Sequence, residues 1–416
     1  MSTASVGNPW QRLQSSDTAR VLISIYVPSM IMSFGQGMVV PTIPRVATTF
    51  DVSPGLAAQL VTATFLGSTL GLLPAGILID RAGRRPLLIM GPLLLAAAAA
   101  FSAVTTSYPL FLAAQVLAGL GSSFWQLARE VAAVDVIQPH LRGRMMSGFH
   151  GMNSVGTAVG PLLGGIITDL FGFRAVFWTY GLMALITLAV SFQIRETAGS
   201  RRSARGPLIN FGAFREIEPF FRATFIVITI NTFVAMMRST LFNSMVPLYV
   251  GVQLGYSSTE VGAVFAVYGL LNVLMIGPTG YFSDTRGRKA VVMPSAYLAV
   301  VAFTLFPFAS QMWQLSALAA LSGIAGGLAL GTMATYSYDI IPDHARGSLQ
   351  TIRRLFGQSG LVLGPVLAGT VADMGSPAAA FWLFVPLQLV SGLLITFIAK
   401  ESFRRGPSQR AIANST

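Results

Sequence analysis

The chain has 416 residues, of which 53% are hydrophobic and only 10% charged, and its mean hydropathy is +0.66. Soluble domains carry about 25% charged residues, so this chain lacks the polar surface to cover itself in water. A soluble enzyme, a nucleic-acid binder and a single-span receptor are excluded, and the formal net charge of +12 needs another explanation than nucleic acid.

Apolar runs of about 20 residues, enough to cross about 30 Å of hydrocarbon, recur along the whole chain. Twelve spans are expected, at residues 20–46, 55–79, 87–106, 109–136, 144–169, 175–194, 221–250, 259–282, 290–310, 313–340, 348–372 and 378–399. Among the 27 basic residues, Arg45 and Arg174 then lie on one side and Arg129 and Arg238 inside spans. The others lie in or near segments on the opposite face. That bias marks the cytoplasmic side and places both termini there. Residues 1–19 lack the apolar core and cleavage site of a signal peptide, so span 1 is expected to stay as an anchor. The chain has no cysteine, which leaves neither disulfides nor thiolate metal sites.

The sequence repeats itself at a constant displacement of 204 positions, the distance from Pro74 to Pro278. Gly76, Asp80, Gly83 and Arg84 meet Gly280, Asp284, Gly287 and Arg288. Gly119 and Asp135 meet Gly323 and Asp339, and His140, Arg142 and Gly143 meet His344, Arg346 and Gly347. Gly160, Pro161, Gly165 and Asp169 meet Gly364, Pro365, Gly369 and Asp373, and Phe177-Trp178 meets Phe381-Trp382. Such matches in chemically distinctive residues point to two six-span halves derived from one unit. The expected divisions are 1–194, a linker at 195–220, 221–399 and a tail at 400–416. The linker is polar and Arg-rich, a flexible tether or a short amphipathic helix from Phe211 to Phe221 on anionic lipid.

Between spans 2 and 3 stands Gly76-Ile-Leu-Ile-Asp80-Arg81-Ala-Gly83-Arg84-Arg85, echoed by Gly280-Tyr-Phe-Ser-Asp284-Thr-Arg286-Gly287-Arg288-Lys289. Gly76 and Gly280 are read as letting a neighbouring helix approach closely. The Asp precedes a helix N-terminus, where the dipole favours a carboxylate, and Gly83 allows a tight turn. This pattern resembles the cytoplasmic loop signature of the major facilitator superfamily, and the resemblance extends from about residue 20 to 400. It implies an all-α polytopic membrane protein with twelve transmembrane helices in two pseudo-symmetric six-helix bundles. In that family the loop Asp and Arg brace the outward-open state against an acidic residue on a neighbouring helix, a partner role that falls to Asp135 and Asp339 here.

Span 5 carries Gly156-Thr-Ala-Val-Gly160-Pro161-Leu-Leu-Gly164-Gly165, which resembles the antiporter signature of the family's proton-driven exporters. Gly156 and Gly160 make a smooth face one turn apart, and Pro161 bends the helix. Many such exporters carry an Arg in the middle of span 4 before a Gly-x-Gly. Here Gly119-Leu-Gly121 is present, but the residue in that region is Gln115, and an embedded Arg stands lower, at Arg129.

Polar stripes at helical spacing give cavity candidates: Tyr26, Ser29, Ser33 and Gln36 in span 1; Gln115, Gly119, Ser122, Gln126 and Arg129 in span 4; and Asn231, Arg238 and Asn243 in span 7. Hydrocarbon offers polar groups no partner, so these faces must meet protein or water. The family's cavity is lined by spans 1, 4, 7 and 10. Tyr336 in span 10, with Trp125, Phe34, Phe265, Tyr268 and Tyr338, is a candidate for stacking a flat ligand or, equally, for packing. Glu130 is the one carboxylate placed in a span away from its ends, and burial against a nearby Arg is the setting for a proton carrier. His150 and Asp135 are further candidates, while Arg129 and Arg238 read either as substrate contacts or as buried braces.

The expected function is secondary active transport by alternating access, driven by a proton gradient with no cofactor. Small-molecule substrate and lipid are the expected partners, and a monomer the expected state. Proton-coupled efflux of small amphipathic compounds leads. An organic-anion carrier using the cavity arginines and a non-transporting membrane sensor are the alternatives.

Overall fold

The computed structural model describes the backbone of residues 16–136, 142–192, 211–329 and 331–402, and the side chains of residues 26–132, 151–192, 212–329, 331–342 and 344–402. All regular elements among them are helical. Span 1 is Ser16–Met38, span 2 Pro54–Ala82, span 3 Arg85–Val104, span 4 Tyr108–Val136, span 5 Arg142–Phe171 and span 6 Phe173–Ser191. Span 7 is Pro219–Pro247, span 9 Lys289–Leu305, span 11 Arg346–Met374 and span 12 Pro377–Phe397. Span 8 is made of Ser258–Leu274 and Ile276–Arg286, and span 10 of Met312–Ala329 and Thr332–Ile340. Eleven helices among the described residues are long and apolar enough to cross a membrane, and they correspond to spans 2–12.

Two expectations need correction. Span 1 does not run unbroken to residue 46: it ends at Met38 and is followed by a 3-10 turn, Val40–Thr42, and a short helix, Ile43–Thr49. Pro41 and Pro44 lack the backbone donors a continuous helix needs. Between residues 211 and 221 the structure has a 3-10 turn, Phe211–Glu216, and the start of span 7 at Pro219, not one amphipathic helix. The remainder of the linker lies outside the described residues.

The chain divides into two compact units. Unit 1 holds spans 1 and 3–6, span 2 from Gln59 onward, and the head of span 8, Tyr256–Ala266. Unit 2 holds the head of span 2, Ser53–Ala58, with span 7, span 8 from Val267 onward and spans 9–12. The units thus depart from simple six-span halves at the heads of spans 2 and 8. In unit 1, span 1 packs along span 5, and span 3 along spans 4 and 6; in unit 2, span 7 packs along span 11, and span 9 along spans 10 and 12. Each pairing in one unit is the repeat image of one in the other.

Burial of apolar side chains gives each unit its own core. Leu87, Leu95, Phe124, Trp125 and Tyr180 sit in unit 1, and Phe225, Ile228, Tyr336, Leu349 and Ile395 in unit 2. Leu70, Leu73 and Ile77 of span 2 are exposed, as a surface solvated by hydrocarbon allows.

Candidate functional site

A recess with about 230 Å³ of empty space, part of it open to solvent, lies within unit 1. Its wall takes Met32, Ser33 and Gln36 from span 1, Ser122, Trp125, Gln126 and Arg129 from span 4, Asn153 from span 5 and Tyr180 from span 6. The span 4 residues fall on one face because their spacing follows the helical period. Ser33 donates to the Asn153 side-chain oxygen and to the Ser29 carbonyl at 2.8 Å, and Gln126 Nε2 donates to the Ser122 hydroxyl at 3.1 Å. Arg129 is buried, and Glu130 is its neighbour in sequence. Glu130 itself is half-buried and does not line the recess. The Trp125 indole N–H is buried with no partner among the described residues, so the wall holds an unused donor.

Other candidates point elsewhere. Gln115 donates to the Ser102 hydroxyl of span 3 at 2.9 Å, Asn231 to the Ser391 hydroxyl of span 12 at 2.7 Å, and the Tyr336 hydroxyl to the Lys400 carbonyl at 2.6 Å. All three side chains are buried and satisfied by a neighbouring element, because a buried polar group takes the nearest partner available. Helical spacing places such residues on a protein-facing surface without saying whether that surface is wet. Tyr26 and Asn243 are half-buried and do not line the recess. In unit 2, Arg238 lies within electrostatic reach of Tyr268, whose ring stacks on Phe242 with centroids 4.4 Å apart. The side chains of Asp135 and His150 lie outside the described residues.

At the loop between spans 8 and 9, Arg288 Nη1 donates to Asp284 at 2.6 Å and Nε donates to Asp339 at 3.0 Å. Burial would lower the Arg288 pKa, but hydrogen bonds and charge from Asp284 and Asp339 hold it above the ordinary value. Gly287 turns the chain at φ +105°, and Gly83 does so at φ +79°, a left-handed region that strains other residues. In the loop between spans 2 and 3, Arg84 is buried and donates to the Val131 carbonyl at 3.5 Å, while Asp80 and Arg85 are exposed. Among the described residues, no atom stands within 4 Å of where a Cβ would sit at Gly76 or Gly280, so no close helix approach is described there. It occurs in span 5 instead. A Cβ on Gly156 would lie 2.8 Å from the Met30 carbonyl oxygen, and one on Gly160 or Gly164 would collide with the Phe34 or Met38 carbonyl.

The sequence model of the Major Facilitator Superfamily matches residues 26–233 and again 228–414. The chain belongs to the Major Facilitator Superfamily. It is therefore a multi-pass membrane transporter for small molecules, not an enzyme. It is 23% identical to a multidrug resistance protein, MdtL, of Shewanella sp. (strain ANA-3), over 79% of this chain and 83% of the relative. With a class H tetracycline resistance protein of Pasteurella multocida it shares 24% identity over 87% of this chain and 90% of the relative. Among solved structures, a D-xylose-proton symporter superposes with TM-score 0.74 at 15% identity, over 92% of this chain and 98% of that one. The nucleoside transporter NupG superposes with TM-score 0.77 at 11% identity, over 91% of this chain and 100% of that one.

Three polar groups of this superfamily member escaped the sequence reading. Asn153 was legible: it precedes Gly156 by three positions and shares the face that meets span 1. Tyr180 carried no signal apart from the aromatic residues around it. Arg353 of span 11 reads as one of two adjacent topogenic arginines, yet it is buried and donates to Gln350 at 2.9 Å and Thr232 at 3.0 Å.

Proposed function

We propose that this transporter is a proton-coupled exporter of small amphipathic organic compounds, resident in the cell membrane with both termini cytoplasmic, working by alternating access. The observation that carries the reading is the recess itself, whose wall joins hydroxyl and amide side chains, an indole N–H without a partner and a buried arginine next to an acid. Such a wall offers hydrogen bonds and an aromatic surface without committing to one ligand shape. Glu130 carries the coupling proton, with His150 and Asp135 as the alternative carriers. Substrate contacts fall to Ser33, Gln36, Ser122, Gln126 and Arg129. The names of the multidrug and tetracycline resistance relatives support export, as does the tight seam that the span 5 glycines make with span 1. The Gly76–Arg85 and Gly280–Lys289 loops act as conformational gates, with Asp339 as the partner of Arg288.

A second reading, an organic-anion carrier, is favoured by Arg353, whose hydrogen bonds among the described residues go to an amide and a hydroxyl and to no carboxylate. Substrate-induced proton movement in everted vesicles separates the two. For export, a cationic or neutral compound collapses the gradient in the parent and fails to do so in Glu130→Gln. If anions move without disturbing the gradient and Arg238→Ala stops them, the anion carrier replaces the exporter.

A further inference from the structure

Arg238 stands well inside span 7, Pro219–Pro247, and is half-buried. Among the described residues it makes no hydrogen bond or ion pair, and the group within its electrostatic reach is Tyr268, a neutral phenol. Every Asp and Glu of unit 2 lies near or beyond an end of a span, so no acid of this unit compensates the charge from mid-span. A guanidinium withdrawn from water without a counter-charge or acceptors is costly. Arg353 of the same unit shows the contrast, since it spends its donors on Gln350 and Thr232.

Two further donors converge beside it. Tyr268 and Asn272 are one turn apart on span 8, in the part of that span that belongs to unit 2, and both are half-buried. Both reach Gly326 of span 10: the Cβ this residue lacks would stand 2.5 Å from the Asn272 amide nitrogen and 3.3 Å from the Tyr268 hydroxyl. Neither side chain has a hydrogen-bond partner among the described residues. The Tyr268 ring stacks on Phe242, with planes 26° apart, and Phe242 lies one turn beyond Arg238 on span 7. The hydroxyl is thus fixed before any ligand arrives, which lowers the entropy lost on binding. One turn before Gly326, the Ser322 hydroxyl is buried and also unpartnered among the described residues. Guanidinium, phenol and amide can all donate to one acceptor. Water would serve those donors but leave the positive charge uncompensated, whereas an anion answers both demands.

We propose that Arg238, Tyr268 and Asn272 form a binding site within unit 2 for one small anionic group, a halide or the acid group of an organic compound. The site is separate from the recess of unit 1 and independent of proton coupling and of the direction of transport. The purified full chain in detergent is heated in sodium gluconate, with sodium chloride or sodium benzoate replacing it at constant ionic strength. A ligand of the folded state raises the thermal midpoint in a saturable way. The parent should respond so to at least one probe, and Arg238→Gln should raise the half-saturating concentration about tenfold or more through loss of the charge-assisted bonds. Tyr268→Phe should raise it severalfold. Gly326→Ala keeps all three donors but fills the space against the Asn272 amide, which can swing aside. It should therefore fold and still weaken binding severalfold, a check that stands even where Arg238→Gln fails to fold. Arg45→Gln, which removes an exposed cation of unit 1, should titrate like the parent. Saturation by chloride alone identifies a free inorganic anion as the occupant, and saturation by benzoate an organic acid. A parent with no saturable response to either probe overturns the proposal, and so does a half-saturating concentration unchanged in Arg238→Gln or in Gly326→Ala. No gradient or transport enters this assay, so its failure is distinct from failure of proton-coupled export.

Discussion

Arg288 Nε donates to the Asp339 carboxylate of span 10 at 3.0 Å, while Nη1 of the same guanidinium holds Asp284 one turn back along its own loop at 2.6 Å. Asp284 is largely exposed and Asp339 mostly covered. The two bonds therefore differ in consequence: the Asp284 pair is local and solvent-screened, while the Asp339 pair joins two helices. Asp339→Asn should cost at most about 1 kcal/mol in stability but lower transport severalfold, whereas Asp284→Asn should do less of both. Arg288→Lys should behave like Asp339→Asn, because a lysine cannot reach two carboxylates and the Ser283 carbonyl together. Transport rate set beside thermal midpoint for the three variants checks the order, and a larger effect of Asp284→Asn would refute it.

The seam between spans 1 and 5 makes a sharper prediction. Gly164 faces the Met38 backbone with no room for a Cβ, while Gly151, in the same helix, has nothing within 4 Å among the described residues. Gly164→Ala should destabilise the protein by about 1–3 kcal/mol, the usual cost of overpacking. Gly151→Ala should be neutral, or stabilising by up to about 1 kcal/mol through helix propensity. Thermal unfolding in detergent measures both, and equal effects would mean that the seam yields.

Much of this fold was legible because hydrophobic spans and repeated Gly, Pro and Asp residues report directly on the membrane and on backbone geometry. Gly83 and Gly287 are needed for φ values other residues resist, so their role shows in the sequence. The recess was half legible. Ser33, Gln36, Ser122, Gln126 and Arg129 meet in its wall, but Gln115, on the same stripe of span 4, turns to Ser102. A helical stripe is wider than a cavity, and only the neighbouring helix decides which part of it stays wet. Arg353 was hidden for a related reason: beside Arg354 it reads as a charge at a membrane boundary, and only the partners on spans 7 and 11 show that it is buried.

That division can be tested at Gln115. Its amide and the Ser102 hydroxyl are buried together, so Gln115→Leu leaves Ser102 without this donor and should cost about 1–3 kcal/mol. The double variant Gln115→Leu/Ser102→Ala should recover part of that loss. Neither should change which compounds are transported, whereas Gln126→Leu, in the recess wall, should change the substrate range with little effect on the thermal midpoint. A substrate profile altered by Gln115→Leu would put Gln115 back in the cavity.

Arg353 links three helices: Ser337 of span 10 accepts from Gln350 at 2.7 Å, and Arg353 donates to Gln350 at 2.9 Å and to Thr232 of span 7 at 3.0 Å. No carboxylate is among its partners in the described residues, and Arg354 adds a like charge nearby. A buried charge neutralised only by dipoles carries a desolvation cost that an apolar side chain does not. Arg353→Lys keeps that charge but loses the planar fork that serves both acceptors, so it should be destabilising by about 1–3 kcal/mol. Arg353→Met loses the same bonds yet removes the charge, and should be the milder substitution. If its thermal midpoint instead falls below that of Arg353→Lys, the guanidinium network stabilises unit 2 outright. The milder outcome means that the fold retains a costly cation, which transport assays on Arg353→Met should then show to be needed for activity.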